Sequence, residues 1–123
     1  MLLEYACVVL SAVVFLTLSS SWSSPLFKEA YGYDSSWYST VGRAIVAGYV
    51  PYRDLFDLKG PVFFFYEALG QLFIKGRGGV FLIQCISGAL IASFMYGIAR
   101  LTLTRTLSWT ALLIFYYPYI YLL

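Results

Sequence analysis

The segment from Val80 to Ala99 constrains the fold more than any other feature of this chain, because its twenty residues include no charged side chain. About 20 mainly apolar residues make a helix long enough to cross the hydrocarbon core of a bilayer. The composition agrees, since 61% of the 123 residues are hydrophobic and 11% are charged, with a mean hydropathy of +0.78. Soluble domains carry about 25% charged residues. The sequence therefore predicts an integral membrane protein.

Four hydrophobic segments predict an all-α membrane protein with about four transmembrane segments. No Lys or Arg precedes the apolar core of the first segment and no A-x-A site follows it, which favours a retained helix over a cleaved signal peptide. The second segment, Pro61 to Ile74, makes only about 21 Å of helix against about 30 Å of hydrocarbon. The third has a small-residue face suited to close helix packing. The predicted helices comprise residues 1–22, 61–75, 80–99 and 107–123 of a single membrane domain, 1–123.

The loop of residues 23–60 joins the first two segments and is the polar part of the chain. Between Lys28 and Lys59 it carries eight of the fourteen charges, four acids and four bases. Apolar residues recur at helical spacing from Trp37 to Gly48, which predicts a short amphipathic helix in the plane of the membrane interface, with Gly48 as its natural stop. A charged loop held at a membrane surface suggests a site rather than a spacer.

Asp34 is the first candidate catalytic residue in this loop. A carboxylate just outside a membrane helix, at the start of an amphipathic helix, can act as a general base toward a hydroxyl or amine acceptor. The alternative is structural, because Asp34 or Ser35 would cap the predicted helix, and an Asp cap stabilises a helix start by about 1 kcal/mol. The spacing alone leaves both interpretations open.

Two bases near the end of the loop are candidates for binding phosphate. Arg53 offers a planar fork that matches phosphate oxygens, and Lys59 offers a point charge. Both precede the second segment at headgroup depth, where the phosphate of a lipid-linked substrate would lie. The alternative is that they pair with Asp54 and Asp57 and solvate a turn, which is worth about 0–1 kcal/mol at a surface. Glu67, inside the second segment, is either a functional group or a protonated interior one.

Several common sites are absent from the sequence. The chain contains no G-x-x-x-x-G-K-[ST], no G-x-G-x-x-G, no H-E-x-x-H and no C-x-x-C motif. It has no His, and Cys7 and Cys85 both lie in apolar segments, so we expect them to be small lipid-facing or packing residues rather than parts of a zinc site or a disulfide. The net charge of +2 is spread along the chain without a basic run. We therefore expect no metal ligands among the site residues and no nucleic-acid partner.

The loop has a sequence pattern that resembles a known family. The pattern begins with D-S-S-W-Y at Asp34 and resumes after three residues, at Gly42, with G-R-A-I-V-A-G-Y-V-P-Y-R-D-L-F-D-L-K-G-P to Pro61. An aromatic-rich apolar helix follows it. The pattern resembles the first extracytoplasmic loop of bacterial multi-spanning glycosyltransferases of the GT-C type, glycosyltransferase family 39. These are the relatives of dolichyl-phosphate-mannose protein mannosyltransferases and of lipid A aminoarabinose transferase. The third and fourth segments match only in being hydrophobic.

The resemblance assigns roles to individual residues. Asp34 matches the catalytic acidic position of the family, and Lys59-Gly60-Pro61 matches the element next to the lipid phosphate. Ser35 stands where many relatives have Glu, and Leu58 where relatives of this subgroup often have His. No cofactor is expected, and these two departures leave a requirement for a divalent metal open. The other candidate substrate-binding residues, which match the loop pattern of the family, are Tyr52, Arg53, Asp54 and Asp57.

The resemblance also implies an activity and a location. Members transfer a sugar from a polyprenyl-phosphate donor to an acceptor on the extracytoplasmic face of the cell membrane. The charge count gives nearly a tie for orientation, and the resemblance resolves it with a cytoplasmic N-terminus and the charged loop outside. It then implies that the Gly76 turn is inside and that Arg100 to Arg105 is outside. The expected partners are membrane lipid, the sugar donor, and either further C-terminal helices or another membrane subunit.

Two alternatives to a transferase stay open at this point. A non-catalytic membrane module would bind a lipid-linked phosphate through Arg53 and Lys59 without needing Asp34. A truncated remnant would have no function. The chain is still apolar at Leu123, which indicates the N-terminal fragment of a larger multi-spanning protein, and we expect this chain alone to be inactive.

Overall fold

The computed structural model describes residues 2–27 and 33–121. The described residues form helices joined by loops, with no strand. The all-α prediction is therefore confirmed for this part of the chain. Two of the helices, α1 and α4, are long and apolar enough to cross a membrane. The five helices are α1 (Leu2–Ser19), α2 (Tyr33–Val46), α3 (Pro61–Phe73), α4 (Arg77–Thr102) and α5 (Arg105–Tyr121).

The prediction of four spans is supported for two of them. The second predicted span corresponds to α3, whose 13 residues make only about 20 Å of helix. The run Gly76 to Gly79 was expected to be a turn, but α4 already begins at Arg77. Gly76 takes up the turn with a φ of 74°, and the backbone N–H of Gly79 donates to the Gly76 carbonyl oxygen at 3.1 Å. Arg77 Nη2 donates hydrogen bonds to the backbone oxygens of Ser21, at 3.3 Å, and Ser24, at 2.6 Å. These contacts hold the first turn of α4 in place.

The described residues form two compact units, and the first is a bundle of α1, residues 85–102 of α4, and α5. We call it the bundle unit. The predicted small-residue face of α4 packs against α1 there, because a Cβ atom on Gly88 would lie 2.5 Å from Leu16 Cδ1, and one on Gly97 would lie 3.0 Å from the Tyr5 hydroxyl oxygen. Its buried core consists of Val8, Ala12, Ala92, Tyr96, Leu112 and Tyr116.

Polar side chains in the bundle unit have partners. Glu4 Oε1 accepts from Arg105 Nε at 3.0 Å, and the Tyr96 hydroxyl donates to Glu4 Oε2 at 3.5 Å. The hydroxyls of Ser11 and Tyr116 lie 3.3 Å apart. These contacts join α1 to both of the other helices of the bundle.

The second unit comprises the described residues of 21–84 and is built around a pair of helices, α2 and α3. We call it the hairpin unit. The two helices meet closely at Gly42, where a Cβ atom would lie 3.0 Å from the backbone carbon of Glu67. The rings of Tyr38 and Phe63 meet edge to face, with centroids 4.7 Å apart. As expected, α2 ends before Gly48, whose φ of 96° favours glycine. The hairpin unit carries every predicted site residue.

Candidate functional site

A cavity of about 570 Å³ lies between the first turns of α2 and the end of the loop that leads into α3. Three of the six predicted site residues line it, namely Asp34, Asp57 and Lys59. The other three, Tyr52, Arg53 and Asp54, are outside its lining. The complete lining is Tyr33, Asp34, Trp37, Tyr38, Phe56, Asp57, Leu58 and Lys59.

Asp34 presents an exposed carboxylate to this cavity. Because α2 begins at Tyr33, Asp34 lies inside the first turn of the helix rather than before it, so the capping interpretation does not describe its position. A negative charge in a first turn is favourable, by about 0.3–1 kcal/mol. Its carboxylate makes no hydrogen bond or ion pair with any residue that the structure describes. Asp34 is therefore available to a ligand.

Asp57 is held by two hydrogen bonds and has a different character. Trp37 Nε1 donates to Asp57 Oδ2 at 2.6 Å, and the backbone N–H of Leu58 donates to Asp57 Oδ1 at 2.5 Å. The first of these bonds ties the loop to α2. Asp57 therefore shapes one wall of the cavity, and the expected pair between Asp57 and Lys59 is not among the ion pairs of the described residues.

Lys59 lies on the loop side of the cavity and is exposed. Among residues 2–27 and 33–121, its ammonium group has no ion-pair or hydrogen-bond partner. Its backbone is held in place, because the Tyr52 hydroxyl donates a hydrogen bond to the Lys59 carbonyl oxygen. Tyr52 itself has a φ of 67°, which is uncommon for a residue other than glycine. Tyr52 thus acts on the site by fixing the backbone that carries Lys59.

Arg53 and Asp54 bind each other rather than the cavity. Arg53 donates from Nε to Asp54 Oδ1 at 2.8 Å and from Nη2 to Oδ2 at 2.7 Å. The backbone N–H of Val50 also donates to Asp54 Oδ2, at 2.8 Å. The hydrogen bonds from Arg53 and Val50 lower the pKa of Asp54 to about 2, and Asp54 raises the pKa of Arg53. For these two residues, the geometry fits the structural alternative, in which a charge pair closes an exposed turn.

Glu67 lies on α3 outside the cavity lining. Its side chain is only 5% exposed, and its Oε2 atom has no hydrogen-bond partner in the described part of the chain. Ser39 on α2 is also buried, and its hydroxyl likewise has no partner there. Buried polar atoms without partners are costly. We therefore assign Glu67 to the interior of the hairpin unit and not to the cavity.

The sequence analysis did not single out the aromatic and apolar lining of the cavity. Trp37 and Tyr38 follow Asp34 by three and four residues, and such spacing places side chains on the same face of a helix. That spacing is the signal that could have linked them to Asp34. Phe56 and Leu58 alternate with Asp57 and Lys59 in an irregular loop, where no helical periodicity indicates which side chains share a wall.

The arrangement combines three chemical properties in one cavity. Asp34 supplies a carboxylate that can accept a proton. Lys59 supplies a positive charge for an anionic group such as a phosphate. The rings of Tyr33, Trp37 and Tyr38 supply apolar faces with polar edges, which suit a ligand that is part sugar and part lipid. No three side chains of the His, Cys, Asp and Glu types come together as a metal site within the described residues.

Comparison with known proteins found no relative of this chain. The chain matches no known family model, no curated protein and no solved structure.

Proposed function

We propose that this chain carries the active-site loop of a membrane glycosyltransferase, which moves a sugar from a polyprenyl-phosphate donor to an acceptor on the extracytoplasmic face. One observation carries the proposal: Asp34 and Lys59, one from each side, line the same cavity and have no ionic partner among the described residues. The resemblance of residues 34–61 to a family 39 loop supports the same assignment.

In this mechanism Asp34 is the general base. The acceptor hydroxyl gives its proton to an Asp34 carboxylate oxygen while the acceptor oxygen forms a bond to the anomeric carbon of the sugar. The bond between the anomeric carbon and the phosphate oxygen breaks, and its electron pair leaves with the polyprenyl phosphate. Asp34 suits this role because its carboxylate is exposed to the cavity and is not held by another group among the described residues.

Lys59 stabilises the departing group. Negative charge accumulates on the phosphate as the glycosidic bond breaks, and a fixed ammonium group lowers the energy of that state. An environment of low dielectric constant at the membrane surface strengthens the attraction. The hydrogen bond from Tyr52 to the Lys59 carbonyl keeps the backbone of this residue in place. The aromatic wall of the cavity would contact the sugar and the first carbons of the lipid.

The test is sugar transfer in membranes that contain the native protein and its natural acceptors. The donors are polyprenyl-phosphate mannose and polyprenyl-phosphate glucose with tritium in the sugar. We expect Asp34→Asn to lower transfer by about 10²–10⁴-fold, the usual contribution of a general base. We expect Lys59→Gln to lower it by about 10²–10³-fold, as for the loss of one group that stabilises developing charge.

Lys75→Gln is the matched control, because Lys75 is exposed and does not line the cavity. It removes the same charge at a different place and should leave transfer unchanged. Normal transfer by Asp34→Asn would overturn the proposal. Salt-sensitive binding of polyprenyl phosphate that depends on Lys59, without turnover of either donor by the unmodified protein, would instead identify a non-catalytic phosphate-binding module.

A further inference from the structure

We propose that α3 is an interfacial helix that lies on the bilayer surface with Val62, Phe65, Leu69 and Phe73 in the lipid. In this arrangement residues 21–76 leave and rejoin the bilayer through the same face. Either compartment can adjoin that face, so the arrangement is independent of the proposed transferase activity.

The first observation is that α1 and α4 run antiparallel within the bundle unit. The rings of Tyr5 and Tyr96 meet edge to face, with centroids 5.8 Å apart. Further along α1, Leu16 meets Gly88, which is earlier in α4. Later residues of α1 therefore contact earlier residues of α4. If both helices cross the bilayer, the end of α1 and the start of α4 emerge on one face.

The second observation comes from the hairpin unit alone and leads to the same conclusion. Arg77 is the first residue of α4, and Ser21 and Ser24 follow the end of α1. Arg77 Nη2 donates to the carbonyl oxygens of both serines, at 3.3 Å and 2.6 Å. The Ser23 hydroxyl also donates to the side-chain oxygen of Gln84. The exit from α1 and the entry to α4 are thus in direct contact.

These two observations exclude a single crossing by α3. One crossing between α1 and α4 would put the start of α4 on the face opposite to the end of α1. A membrane-spanning helix also needs about 20 residues, and α3 has 13. A pair of crossings would take α2 into the lipid as well, although Asp34, Thr40 and Arg43 are exposed on it. A helix on the surface satisfies all of these conditions.

The two faces of α3 indicate what covers the helix. The two polar side chains of the central turns, Glu67 and Gln71, are 5% and 2% exposed. The opposite face is apolar, and Val62, Phe65 and Leu69 are 81%, 57% and 46% exposed. A surface helix in water has the reverse arrangement. Apolar side chains facing outward beside the membrane are typical of a helix in the lipid interface.

This arrangement reverses two of the sides implied by the family resemblance. The Gly76 turn falls on the face of the charged loop, because α3 stays on that face and does not cross the bilayer. Arg100 to Arg105 falls on the face of the N-terminus, in agreement with the 3.0 Å ion pair between Arg105 and Glu4. Within residues 2–27 and 33–104, the crossings in this arrangement are α1 and α4.

The crossing is tested by cleavage of the unmodified chain and by cysteine labelling, both in sealed vesicles of uniform orientation. Trypsin should cut after Arg53 and Lys75 from one side, and after Arg105 only when the vesicles are opened. In a background with Cys7 and Cys85 replaced by alanine, Val50→Cys and Lys75→Cys should react with an impermeant maleimide from that side. Thr104→Cys should react from the other side. If Lys75 is cut or labelled from the same side as Arg105 or Thr104, the proposal is overturned.

The contact with lipid is tested by a spin label on Phe65→Cys or Leu69→Cys, with Thr40→Cys as the control on the exposed part of α2. The vesicles contain three parts phosphatidylcholine and one part phosphatidylglycerol. Oxygen collects in lipid, so it should relax the labels on α3 more strongly than a water-soluble nickel complex does, with the opposite order at Thr40. Labels on α3 that respond mainly to nickel would overturn the proposal. Labels that respond to neither reagent would show a protein covering α3 and would overturn it too.

Discussion

The bundle unit and the hairpin unit differ in the polar side chains that they bury. The bundle unit has an aromatic and aliphatic core, and its charged residues Glu4 and Arg105 pair near the ends of their helices. In the hairpin unit, polar Glu67 and Gln71 are buried while much of the apolar surface of α3 is exposed. The hairpin unit also buries apolar side chains, among them Phe64 and Ile83, so the difference between the units lies in the buried polar groups of α3.

The two units also differ in whether their charged side chains have partners within the protein. The bundle unit pairs Glu4 with Arg105 and Tyr96, so this charge has a structural partner. The hairpin unit pairs Arg53 with Asp54 but leaves Asp34 and Lys59 without partners in the described chain. Groups without protein partners at the edge of a cavity can serve a ligand. The hairpin unit is therefore the unit whose charged side chains are available to a ligand.

The largest expected effect is on the bundle unit alone. Tyr96 is 1% exposed and packs against Tyr5 and Trp109, with ring centroids 5.8 Å and 5.2 Å away. Tyr96→Ala should therefore destabilise the bundle by about 3–5 kcal/mol, as truncation of a buried aromatic side chain does. The measurement is hydrogen exchange by mass spectrometry in detergent, with peptides from each unit followed separately.

Phe94→Ala is the control for this prediction, because Phe94 is on the same helix but 69% exposed. It should change stability by less than about 0.5 kcal/mol. If Tyr96→Ala speeds exchange equally in residues 33–73, the two units unfold together and the comparison between them fails.

A smaller effect is expected from Gly70→Ala, this time in the hairpin unit. A Cβ atom on Gly70 would lie 2.5 Å from the Gly79 carbonyl oxygen and 2.6 Å from Ile83 Cγ1, so the start of α4 must shift. Such overpacking costs about 1–3 kcal/mol. The thermal unfolding midpoint in detergent should fall, and exchange should speed up in α3.

Gly60→Ala provides the matched comparison. Gly60 has a φ of −67°, and a Cβ atom added to it would meet nothing within 4 Å, so alanine fits without strain. Its unfolding midpoint should stay level or rise slightly, since alanine restricts the unfolded chain. Equal losses for the two variants would mean that the close approach at Gly70 contributes nothing specific.

The smallest effect concerns the turn that Asp54 closes. The pKa of this carboxyl is lowered from 3.8 to about 2, mainly by the hydrogen bond from Arg53. A lowered pKa means that the contribution of Asp54 to stability is complete above pH 3.8 and is lost as the pH falls through 2. A carbon-13 NMR titration of the carboxyl should have its midpoint near 2. In Arg53→Gln the midpoint should move up toward 3.8, and an unchanged midpoint would show that the ion pair is not the cause.

Much of the fold could be predicted from local sequence signals. Pro61 begins α3 as predicted, because proline suits the first position of a helix. Gly48 marks the end of α2 through its positive φ. The small residues of α4 predicted close packing, and Gly88 and Gly97 do meet α1. Each of these features depends on a few neighbouring residues, which the sequence displays directly.

The remaining features depend on contacts between distant residues. Periodicity shows which side chains share a helix face, but it does not show which helix that face will meet. The pairing of Trp37 with Asp57 joins residues 20 positions apart, one of them in an irregular loop. The contact of Arg77 with Ser24 spans 53 positions and lies in the first turn of α4, before the predicted start of that helix at Val80. Apolar length alone predicted α3 as a short span, and the separation of its exposed apolar face from its buried polar side chains becomes visible in the structure.

The ion pair between Glu4 and Arg105 has a consequence for the order in which the chain assembles. A ribosome adds about 5–20 residues per second, so Arg105 is made roughly 5–20 s after Glu4. During that interval the Glu4 carboxylate has not yet met its arginine. The contacts between α2 and α3 join nearer residues and can form while the ribosome is still adding the rest of the chain. The pair of α2 and α3 in the hairpin unit can then form before the bundle unit is complete.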